Sequence, residues 1–86
     1  MGEPPLTSEL IRAARALLRW EQRHLASASS VSLPTVKRLE SRPGKLAAHG
    51  STIAALKRAL ESAGVEFTNG DQPGVRLRKT SPKSGD

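Results

Sequence analysis

Apolar residues recur every third or fourth position through four short stretches of this chain, and beyond Gly64 the repeat changes to every second position. A period near 3.6 marks amphipathic helices and a period of two marks half-buried strands, so the sequence dictates short helices followed by a β-hairpin. Turn formers separate the stretches, which leaves no room for a long element of either kind.

The first helix is expected from Thr7, a good N-cap, with Leu6 and Ile11 placed to close a hydrophobic staple. Leu10, Ile11, Ala14, Leu17 and Leu18 then share one side, and Arg12, Arg15 and Arg19 project as a basic back. A second helix spans Gln22 to Ser29 with Leu25 and Ala28 inward and with Ala26 small enough for a close neighbour. Ser29 to Ser32 compose a turn. Ser32 caps a third helix that tolerates Pro34 in its first turn and runs to about Ser41, ahead of Pro43-Gly44. Ser51 or Thr52 is the expected cap of a fourth helix, whose buried stripe is Ile53, Leu56, Leu60 and Ala63. Gly64 supplies its left-handed end. Val65 and Phe67, then Val75 and Leu77, alternate with polar residues around the turn-rich NGDQPG segment, which gives a hairpin over about residues 65–78.

Eighty-six residues support one hydrophobic core, and with a single Trp and a single Phe that core must be largely aliphatic. The expected organisation is a flexible arm at residues 1–5, one domain at 6–78 and a disordered basic tail at 79–86. Fourteen Lys and Arg against eight Asp and Glu leave a net charge of +6, for which polyanions are natural partners. Cysteine is absent, which fits a reducing compartment and excludes disulfides and thiolate zinc sites. Residues 1–5 lack the pattern of a secretory signal, and no apolar run has membrane-spanning length, so a cytoplasmic, nucleoid-associated location is expected.

The third helix carries the functional argument. With Val36 and Leu39 fixing its buried face, Pro34, Lys37 and Arg38 project to the opposite side, flanked near the N-terminus by Leu33 and Thr35. A protruding helix with basic and apolar side chains outward has the dimensions to enter a DNA major groove. Arg38 and Lys37 suit guanine edges, and Leu33 and Pro34 suit thymine methyl groups. Gln22, Arg23, Ser32 and Arg42 are assigned to phosphate.

The spacing Q-x-x-L-A-x-x-x-x-V-S-x-x-x-V-x-x-L-E, carried by Gln22, Leu25, Ala26, Val31, Ser32, Val36, Leu39 and Glu40, resembles the helix-turn-helix of the Cro and phage-repressor (XRE) family. The stretches Arg12 to Leu18 with Trp20, Ala63 to Phe67 and Pro73 to Arg78 resemble the flanks of a short bacterial subgroup with a C-terminal hairpin. The resemblance covers roughly residues 8 to 79. It implies a mainly α, λ-repressor-like bundle plus a hairpin, acting as a DNA-binding transcriptional regulator with repression as the expected outcome. It also implies that Gln22 contacts phosphate, that Leu33, Pro34, Thr35, Lys37 and Arg38 face DNA, and that Ala26, Val31, Val36 and Leu39 join the two helices. Three departures stand out. Glu21 replaces the usual small hydroxyl, so the second helix loses its cap and gains an acid near phosphate. Ser30 replaces glycine in the turn, at a cost on the order of 1 kcal/mol if its φ is positive. Leu33-Pro34 replaces polar readers, which favours readout of shape and phosphate over dense base hydrogen bonding.

Two-fold operators need paired recognition helices about 34 Å apart, so a homodimer is expected, with the hairpin residues Val65, Phe67, Val75 and Leu77 as the contact. The alternative is a protein-interaction or antitoxin-like module that adds its hairpin to another chain's sheet. No enzyme is expected, and no cofactor or small-molecule ligand. His24 and His49 have no clustered carboxylates with which to form a metal site, and no serine has spaced His and Asp partners.

Overall fold

Thr7 closes the start of the first helix as its sequence position demands, its Oγ1 accepting the Leu10 N–H at 3.1 Å. A computed structural model describes residues 5–68 and 72–78. The expected arm, apart from Pro5, and the expected tail at 79–86 lie outside the described residues. Helix α1 spans Ser8–Leu18, α2 Gln22–Ser29, α3 Leu33–Ser41 and α4 Gly50–Ser62. Strands β1 (Val65–Thr68) and β2 (Gly74–Leu77) form an antiparallel pair with Val65 opposite Leu77 and Phe67 opposite Val75. The described chain is therefore mainly helical, with one C-terminal hairpin. None of its described helices is long and apolar enough to cross a membrane.

The core gathers Leu6, Ile11, Ala14, Leu25, Val36, Leu39, Leu46, Leu56, Ala59, Leu60 and Val65, so every described element contributes except β2. Helix α2 packs on α3 and α4, and α1 on α3; β2 lies across α1, and β1 lies against both α4 and α1. The loop after α3 is tied back to the first helix. Ser8 N–H donates to Gly44 O at 2.9 Å, Leu46 N–H donates to Leu6 O at 3.2 Å, and both Glu9 carboxylate oxygens accept the Gly44 N–H, at 3.0 and 3.3 Å. The Gly44 N–H, together with Glu9's own backbone N–H, holds the Glu9 carboxyl below its ordinary pKa.

Four local expectations need correction. The inward stripe of α2 is Gln22, Leu25, Ala26 and Ser29, spaced i, i+3, i+4, i+7, which turns Ala28 to solvent. On α1 the inward stripe is Ile11, Ala14, Arg15 and Leu18, so Arg15 leaves the basic back and Leu17 is exposed. Neither Ser51 nor Thr52 caps α4. Leu46 plugs the core, and the chain turns within the next three residues, so the helix begins at Gly50 with His49 in the cap position and no side-chain cap. Among the hairpin residues expected at a dimer contact, Val65 is wholly buried, because β1 is the strand packed on α4, and its side chain belongs to the core.

Candidate nucleic-acid interface

Helices α2 and α3 are joined by only three residues, and the first of them makes the reversal. Ser30 sits at φ +61°, ψ 26°, in the left-handed region. Ser29 steadies the turn from both sides: its hydroxyl donates to Leu25 O at 2.7 Å and accepts the Val31 N–H at 3.2 Å. Ser32 then caps α3, its Oγ accepting the Thr35 N–H at 3.3 Å and donating to Thr35 Oγ1 at 2.8 Å. The Thr35 hydroxyl is left with its own proton to donate.

Burial along α3 matches its wheel. Val36 and Leu39 are almost fully buried, Pro34, Lys37 and Arg38 are exposed, and Leu33 and Thr35 are half-buried on the flanks. The Lys37 side chain makes no hydrogen bond or ion pair among the described residues. Arg38 leans toward the loop after its helix, where Nη1 approaches Ala47 O at 3.4 Å. Beside this face a cleft is lined by Thr35, Arg38, Ala47, Ala48, His49 and Thr52, so the uncapped N-terminus of α4 opens next to the basic side of α3. Helix N-termini present free N–H groups to anions.

The residues assigned to phosphate occupy less uniform settings. Arg42 is exposed at the end of α3 with no partner for its side chain among the described residues. Arg23 is held by Glu21, Nε to Oε1 at 2.7 Å, with both side chains about two-thirds exposed. The hydrogen bond and charge of Arg23 lower the pKa of the Glu21 carboxyl. Glu21 does stand where the cap of α2 should, and its own backbone N–H donates to His24 Nδ1 at 2.9 Å, a partner that the sequence reading missed. Gln22 turns partly inward and donates to Glu40 Oε1 at 3.0 Å.

Glu40 is the principal residue that sequence reasoning left without a role. Its side chain is 3% exposed and receives Arg15 through two hydrogen bonds, Nε to Oε2 at 2.7 Å and Nη2 to Oε1 at 2.6 Å. Arg15 also donates to Trp20 O at 2.8 Å, and Arg12 donates to Glu40 O at 2.7 Å. One buried carboxylate thus clamps α1, the start of α2 and α3, and fixes the angle at which α3 is presented. A signal was available: residues 36, 39 and 40 form the i, i+3, i+4 stripe, so a carboxylate at 40 is placed inward and must be paired.

No family model matches this sequence, and no curated protein matches it. No group of three or more His, Cys, Asp or Glu able to hold a metal ion occurs among the described residues.

Proposed function

We propose that this chain is a sequence-selective, duplex-DNA-binding regulator of the XRE type, in which α2 and α3 form a helix-turn-helix within a λ-repressor-like bundle. The observation that carries this reading is the division of α3 into a buried Val36/Leu39 underside and an exposed Pro34/Lys37/Arg38 crest. Lys37, free of partners among the described residues, reaches base edges or phosphate. Arg38 sits nearer the Ala47 loop and suits the adjoining phosphates. Leu33 and Pro34 supply apolar contact with the groove, so shape and backbone readout carry much of the selectivity. Gln22, Arg23, Ser32 and Arg42 flank the groove on the phosphate side, and Glu21 competes with the backbone for Arg23. One such module buries too little surface for high specificity, so the functional unit is a dimer on a two-fold site, and repression follows from occupancy of that site.

The test is a binding titration against a random-sequence duplex pool at several salt concentrations, followed by the selected sequence. Affinity falls linearly with salt on a double-logarithmic plot, and Lys37→Glu weakens binding and flattens that slope. Salt-independent binding that tolerates Lys37→Glu would refute the DNA reading in favour of a protein-interaction module.

A further inference from the structure

Alanine fills little of the space between two packed helices. On α4, residues 55, 58, 59, 62 and 63 share one stripe, spaced i, i+3, i+4, i+7, i+8, and three of them are alanine. This stripe lies beside the end of α2, where Ala28 stands, and neither helix offers a large side chain to close the groove between them. What remains is a cleft of about 380 Å³, open to solvent, with Trp20 at the entry to α2 as a further wall. Small-molecule sites begin at about this size.

The polar groups of the cleft are of one kind. The Trp20 indole N–H, the Arg58 guanidinium and the Ser62 hydroxyl all line it, and none of the three has a partner among the described residues. The Ser29 hydroxyl, on the same wall, is already engaged by Leu25 O and the Val31 N–H. Indole and guanidinium only donate, the Ser62 hydroxyl can donate, and no acid among the described residues lines the cleft. The site is therefore a set of donors with one full positive charge, set over alanine methyl groups. A guanidinium fork matches a carboxylate in shape as well as in charge. A phosphate dianion would leave half its charge unmatched against an apolar floor, and a neutral molecule would leave the fork unused.

We propose that this cleft binds a small carboxylic acid, as its monoanion, with a flat apolar body. Arg58 takes the carboxylate, Ser62 and the Trp20 N–H supply further hydrogen bonds, and the body lies against Ala28, Ala55 and Ala59. Because α2 and α4 both line the site, the ligand bridges two helices and stabilises the folded chain by mass action. Neither the site nor its test depends on DNA binding, so either reading can fail without the other.

Trp20 is the one tryptophan of the chain, so its emission reports on the cleft directly. Benzoate, the probe, gives a saturable change in that emission at neutral pH with a dissociation constant of about 1 mM, an affinity within reach of so small a ligand. Benzamide, which keeps the body without the charge, and inorganic phosphate, which keeps the charge without the body, each bind at least about tenfold more weakly. Arg58→Ala removes an exposed side chain and weakens benzoate binding at least about tenfold. Ala28→Leu fills the cleft, keeps the charge and abolishes the response; both variants retain the helical circular dichroism of the wild type. In an NMR titration the shifted amides gather at Ala28, Ala55, Arg58 and Ser62 and not around Lys37 and Arg42. No saturation below about 20 mM benzoate would overturn the proposal, as would benzoate binding indifferent to Arg58→Ala. Equal binding of phosphate would make the cleft a plain anion site, equal binding of benzamide a plain apolar slot, and emission that changes with protein concentration alone an interface with a second copy; each result overturns the proposal. Should Ala28→Leu fail to fold, Arg58→Ala and the map of shifted amides decide.

Discussion

Ser30 holds a backbone conformation that L-residues other than Asn and Asp seldom adopt, because at φ +61° the β-carbon crowds the following carbonyl. The turn between α2 and α3 needs it nonetheless: with three connecting residues, one must reverse the chain. Ser30→Gly relieves that crowding at the expense of a floppier unfolded chain, and the balance favours the variant by about 0.5–1 kcal/mol. Thermal unfolding should show a melting temperature raised by a few degrees. An unchanged or lowered value would mean that the turn stores no strain. The departure of residue 30 from glycine was visible in the sequence, as was its consequence. The role of residue 21 was only half visible, since an acid without a cap was expected, whereas the cap hydrogen bond comes in reverse, from its own N–H to His24. That bond depends on a rotamer of His24, which no periodicity encodes.

At the scale of elements, the apolar repeat was enough to place all four helices and the hairpin. The stripe of α3 and the alternation along the hairpin were legible because each rests on two or more large apolar residues at fixed spacing. Helix α2 was harder to orient, as its single large apolar residue, Leu25, leaves the wheel free to rotate by one position. The Arg15–Glu40 pair escaped for a related reason: charged residues were assigned to the outside, and a buried ion pair is invisible until both helices are docked. Its energetics follow from that burial. Glu40→Gln leaves the Arg15 guanidinium desolvated without a counter-charge, at a cost of about 3–5 kcal/mol, a large part of the stability of a domain this size. The double variant Arg15→Met with Glu40→Leu removes both charges and recovers most of that loss. Urea unfolding of Arg15→Met, of Glu40→Leu and of the double measures the coupling. Equal and additive losses would show that the pair does not hold the three helices together.

For the whole molecule, the question is what keeps the exposed crest of α3 in a fixed relation to the rest of the bundle. Glu40 anchors the C-terminal end of α3, and the loop that follows anchors that same end a second time, where Leu46 enters the core and Gly44 is bound to α1 by Ser8 and Glu9. This tether was not legible in the sequence, because it joins residues 35 positions apart through a carboxylate-to-backbone hydrogen bond. It carries a pH signature of definite sign. The folded state holds the Glu9 carboxyl below its ordinary pKa, chiefly through the Gly44 N–H, so the unfolded chain binds the proton more readily. The stabilisation is therefore present above the ordinary glutamate value and is lost as pH falls through the lowered one. Glu9→Gln forfeits the carboxylate at neutral pH but has nothing to titrate. The gap in melting temperature between wild type and Glu9→Gln should accordingly be widest near neutrality and close as pH falls below the ordinary glutamate value and through the lowered one. Glu21 is also lowered and titrates in both proteins, so it cancels in that difference. A gap that stayed constant across the range would show that Glu9 does not tether the loop through its charge. The proposed DNA-binding function gives an independent reading of the same contact: under that proposal, if the tether orients α3, Glu9→Gln does not show the tighter binding that loss of a negative charge near phosphate would by itself produce, but weakens binding at neutral pH.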